Sequence, residues 1–111
     1  MSGIDIDAVA SEAANEIVKV LTGAGKNIAG YAQSEAKKLV TSAAEIAQLR
    51  LSGQIDDEEA RLHLEIQKNA SRAVLMAIEG ISIIAAEQAI NAALTVVGNA
   101  LKTATGLALP I

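Results

Sequence analysis

An all-α fold, arranged as a long antiparallel helical hairpin, follows from three features of this chain. The first is composition: 51% of its 111 residues are hydrophobic, yet Tyr31 is the single aromatic and Pro110 the single proline. Alanine is the strongest helix former, so an alanine-rich chain with its proline at the very end favours helix almost throughout. The second is period, because apolar residues recur every three or four positions and no segment alternates as a half-buried strand would. The third is punctuation. Ser52-Gly53 is followed at once by the acidic run Asp56-Asp57-Glu58-Glu59, a stop and a start so close together that the flanking helices must lie side by side.

The first predicted helix spans about 5–21, capped by Asp5 or Asp7, with Ile6, Val9, Ala13, Ile17 and Val20 or Leu21 on one face. Thr22-Gly23-Ala24-Gly25 then interrupts the pattern, since two neighbouring glycines weaken a helix and permit a bend. The second helix covers about 26–51, its stripe marked by Ile28, Tyr31, Ala32, Leu39, Ala43, Ile46 and Leu49 or Arg50. Asp56, with Glu59 three residues on, reads as a capping box, and the carboxylates suit the positive end of a helix dipole. From Asp57 the pattern continues to about Leu101 with Gly80 tolerated inside, a predicted helix of about 45 residues or roughly 67 Å. The two shorter N-terminal helices would pack along this long C-terminal one, so that 1–111 forms a single helical-hairpin domain with an apolar tail at 106–111.

The stretch Ala73 to Val97 is apolar on nearly every side, and a helix of that kind needs cover on more than the one face that a hairpin partner supplies. Further copies of the chain are the expected cover. The residues expected to meet them are Val74, Ile78, Ile81, Ile84, Ala85, Ala89, Ala93 and Val97, together with Leu107, Leu109 and Ile111 of the tail. Ala85, Ala89 and Ala93 form a ridge of small side chains on which a second helix packs closely. Glu87, Asn91, Thr95 and Asn99 recur every four residues and make a polar stripe that would line the lumen of an oligomer.

These features predict a non-enzymatic, self-assembling structural or scaffold protein: a homo-oligomer in the form of a ring, tube or shell, such as a phage virion component. Two alternatives use the same residues. One is a membrane-active, pore-like or ejection-type oligomer; the uncharged run from Gln88 to Leu101 falls short of the about 20 residues that a lone span requires. The other is an adaptor that offers its apolar face to another protein's helix. In general shape the hairpin resembles small secreted needle and partner proteins and small phage virion or ejection proteins. The Trp-x-Gly turn expected of the secreted group is absent, since Leu51-Ser52-Gly53-Gln54 stands at the turn, and no residue roles are carried over.

The remaining chemistry is sparse. With a net charge of −4 and nine scattered Lys and Arg, no basic stripe exists to neutralise a phosphate backbone, and nucleic acid is not an expected partner. The absence of cysteine excludes disulfides and thiolate chemistry. Thr22 to Asn27 lacks a phosphate loop's first glycine, where Val20 stands, and its Ser or Thr, where Asn27 stands. His63 is the lone histidine, with Glu59 one turn before it, but a carboxylate-bridged metal bundle wants the acid at the position of Ala60. Glu79, inside the apolar stretch, calls for a partner if buried, either Arg72 on the same face or, more in keeping with its place, a cation on a neighbouring helix or subunit, unless it reaches solvent. No catalytic residue, metal or cofactor is expected. The start of the chain has neither the basic flank nor the apolar run of a secretory signal, so cytoplasmic synthesis is expected, with the final location left open between assembly, virion and membrane.

Overall fold

Four α-helices carry the fold in the computed structural model, which describes residues 4–22, 28–78 and 80–109. They are α1 (Ile6–Val20), α2 (Ile28–Leu51), α3 (Asp57–Met76) and α4 (Ile83–Thr105), with no strand among the described residues. Asp5 caps α1 by accepting from the Ala8 N–H. A full capping box opens α3, in which Asp56 accepts from the Glu59 N–H at 2.8 Å and Glu59 accepts from the Asp56 N–H at 3.2 Å. At the end of α2, the Gln54 N–H reaches Leu49 O, the Gly53 N–H reaches Arg50 O, and Gly53 takes φ +78. This left-handed closure satisfies carbonyls that the helix would otherwise leave open, and glycine takes the conformation without strain.

Neighbouring helices run antiparallel, as their cross-links show. Lys37 on α2 lies 4.0 Å from Asp7 at the start of α1, Ser42 on α2 donates to Gln67 on α3 at 2.9 Å, and Arg72 near the end of α3 meets Glu87 near the start of α4 at 2.8 Å. The ring closes where α1 packs along α4, while α2 also touches α4 diagonally. Inside lie Ile17, Leu39, Val40, Leu75, Ile90, Val97 and Leu101, interleaved with fully buried alanines such as Ala13, Ala36, Ala43, Ala89 and Ala93. Each large side chain so buried is worth about 1.5–3 kcal/mol relative to exposure. The alanines let backbones approach where bulkier residues would hold them apart. Polar groups in the interior are partnered: Ser71 accepts from Gln67, which accepts from Ser42, and Glu35 accepts from Lys38 at 3.1 Å.

The helix expected over 57–101 is therefore two helices. Ala77 closes α3, Gly80 takes φ +91, and the Ser82 side chain caps α4 by accepting from the Ala85 N–H. The longest dimension is 42 Å, well short of a rod of about 67 Å. The physical reason is enclosure: folding α4 back lets this chain bury Ala86, Ala89, Ile90, Ala93, Leu94, Val97 and Leu101 against its own other helices. The anticipated bend at Gly23 to Gly25, the start of the second helix at Lys26, Glu79 and Ile111 lie outside the described residues.

Candidate functional site

Helix α3 has two apolar faces. One carries Ala60, Leu64 and Leu75 into the core along with buried Ser71. The other, half a turn away, carries Leu62, Ile66, Ala70, Ala73 and Ala77, all exposed, at the three- and four-residue spacing that makes a continuous stripe. Ile66 is 68% exposed, and Met76 at the end of α3 and Ile83 and Ile84 at the start of α4 are exposed as well. Such a surface, with several large aliphatic side chains in one region, exceeds the scattered single exposures expected of an ordinary monomer.

Charge is divided along the same helix. From residue 56 to 65 stand Asp56, Asp57, Glu58, Glu59 and Glu65 with one cation, Arg61; Lys68 and Arg72 follow, both half-buried. Arg61 bridges Glu58 and Glu65, and this guanidinium holds the Glu58 carboxyl below its ordinary value, first by hydrogen bonding and then by its charge. Arg50 reaches over the turn to Asp57 at 2.7 Å.

The residues expected to form an interface fall into two groups. Ile84 is 68% exposed, while Val74, Ile78, Ile81, Ala85 and Leu107 are half-buried. Ala89, Ala93 and Val97 have no exposed surface, and Leu109 is buried against the core, so these four are taken up by intramolecular packing, and the expectation that they meet another copy is corrected. The small-residue ridge serves α4's approach to its own neighbours. Of the expected polar stripe, Asn91, Thr95 and Asn99 are exposed, but Glu87 turns aside to Arg72. Arg72 thus has Glu87 as its partner across the α3–α4 turn. Leu62 and Ile66 escaped the sequence reading, although their offset from Ala60 and Leu64 was the available signal.

Other concave surfaces offer little chemistry. An open groove of about 620 Å³ between the start of α1 and the end of α4 is floored by Ile4, Val9, Val96 and Ala100 and rimmed by Asp5 and Glu12; Asp5 is already engaged as a cap. Glu59 is likewise held by its capping box, and His63 is exposed. Among the described residues, no group of three or more His, Cys, Asp or Glu could hold a metal ion, and no helix is long and apolar enough to cross a membrane. Comparison with protein-family models, curated proteins and solved structures returns no match.

Proposed function

We propose that the protein is a non-enzymatic structural component that works by associating with copies of itself. The observation that carries this reading is the second apolar face of α3, together with Ile83 and Ile84 at the start of α4, which the chain's own helices leave uncovered. Burying apolar surface contributes about 25 cal/mol per Å², a driving force that an enclosed core no longer supplies but an open stripe does. The open groove between α1 and α4 is a second surface, and a ring, tube or shell needs a second contact of this kind to grow beyond a closed pair.

Ile66→Asp and Ile84→Asp test this reading. Both side chains are largely exposed, so either aspartate leaves the monomer's core intact while placing a charge on the face. The wild-type assembly is expected to fall to the 11.4 kDa monomer in sizing-column light scattering, with helicity by circular dichroism unchanged. An assembly that keeps its mass in both variants would reject this face.

The adaptor alternative uses the same stripe for a different protein's helix and is favoured by a wild-type chain that stays monomeric. The pore-like alternative gains nothing from the fold, because Glu87 is paired and Ala89, Ala93 and Val97 lie inside the bundle.

A further inference from the structure

The buried stripe of α3 continues in register through the turn into α4. From Leu64 through Ser71, Leu75, Ala86, Ala89 and Ala93, all buried, the steps are seven, four, eleven, three and four residues, the same-face spacings of one continuous helix. A chain that only folds back at this point could start α4 at any rotation. The turn itself departs little from helix. Ala77 holds φ −74 and ψ −14, the Ile78 N–H reaches Leu75 O, and the Ile81 N–H reaches Ile78 O. The larger departures are Gly80 at φ +91, where an added Cβ would meet nothing within 4 Å, and the cap residue Ser82 at ψ 163.

We infer that α3 and α4 can join into one helix, so that two copies of the chain complete each other's bundles by exchanging α4. In the single chain α4 packs most extensively on α1 and less on α3. Joining the helices lifts α4 away and uncovers that side of α1, whose buried residues include Ala10, Ala13 and Ile17. The α4 of a second copy is the occupant that restores every lost contact, because it carries the same Ala89, Ala93 and Val97 to the same surface. The core of the exchanged pair is therefore that of the single chain, and only the turn differs. There, a left-handed glycine and short three-residue bonds give way to regular helical bonds. Against this stands the entropy of bringing two chains together, so concentration during folding decides which form is reached. The exchange goes beyond the self-association proposed above, since it uses the inner face of α4 and not the outer face of α3.

Arg72 and Glu87 report the difference. They meet at 2.8 Å across the turn, but on a joined helix they stand fifteen residues, or about 22 Å, apart, and Arg72 of one copy meets Glu87 of the partner subunit. The chain has no cysteine, so Arg72→Cys and Glu87→Cys are placed in separate chains of different length, unfolded together, refolded at high concentration and treated with a short bismaleimide. The expected main product joins position 72 of one chain to position 87 of the other, several-fold above either like-with-like pair and several-fold lower after dilute refolding. A chain carrying both substitutions, refolded dilute, is expected to link within itself; failure to do so would overturn the clasp from which the exchange is derived. Absence of the mixed product, or like-with-like pairs in equal amount, would overturn the exchange. Inserting Gly-Ser-Gly after Gly80 in both chains breaks the helical phase and eases the fold-back, so the mixed product is expected to fall several-fold. An undiminished yield would overturn the continuous helix.

Discussion

The Arg72 guanidinium of α3 donates to the Glu87 carboxylate of α4 at 2.8 Å, clasping the two helices four residues to either side of the turn that divides them. Both side chains keep partial contact with water, at 33% and 46% exposure, so the pair is screened. Glu87→Gln is expected to lower unfolding stability by less than about 1 kcal/mol in urea titration. A loss of several kcal/mol would show that the carboxylate is shielded in the assembly.

Leu75 of α3 and Ile90 of α4 are fully buried, and the bundle closes around them. Leu75→Ala and Ile90→Ala are each expected to cost about 2–5 kcal/mol through lost burial and the cavity left behind. Denaturation at matched protein concentrations checks this, because association contributes to apparent stability. Losses below about 1 kcal/mol would mean that α3 and α4 do not pack as described.

Gly80 and Gly30 should respond to alanine in opposite directions. Neither site offers a new Cβ anything within 4 Å, so backbone conformation decides. Gly80 has φ +91, and Gly80→Ala is expected to destabilise by about 1–2 kcal/mol. Gly30 lies within α2, where Gly30→Ala should stabilise by about 0.5–1 kcal/mol. A Gly80→Ala chain that melts no lower than the wild type would refute the turn between α3 and α4, and a Gly30→Ala chain that melts lower would contradict the placing of Gly30 within α2.

Much of the fold was legible in the sequence, and what was missed has a physical cause. The stop at Gly53 and the capping box at Asp56 and Glu59 rest on local chemistry that needs no tertiary context, and both appear in the structure. Gly80 and Ser82 are weaker signals, since a helix tolerates one glycine at about 1 kcal/mol and a serine without difficulty. What ends α3 there is the gain from folding α4 back over the core, a long-range term invisible in a local window. The same term consumes Ala89, Ala93 and Val97, so the apolar excess read from 73–97 resides largely inside the bundle. The uncovered surface shifted instead to Leu62 and Ile66, hidden in the sequence among the charges of α3.

The acid limb of stability should carry a small signature of Glu58. Its folded pKa lies below the ordinary 4.5 because Arg61 hydrogen-bonds and attracts the carboxylate. The contribution is therefore complete above that ordinary value and fades as pH falls through the lower folded value. Glu58→Gln is expected to lower the melting temperature slightly at neutral pH, where the charged pair contributes, and to leave the acid end little changed, so that the acid limb of the curve flattens in thermal melts from acid to neutral pH. A loss that persists undiminished at the acid end would contradict the assignment.

The absolute mass of the purified chain in detergent-free buffer, by light scattering across a range of concentrations, tests self-association most directly. A discrete multimer of the 11.4 kDa chain is the expected result. A species that remains at the monomer mass up to the highest soluble concentration would contradict it.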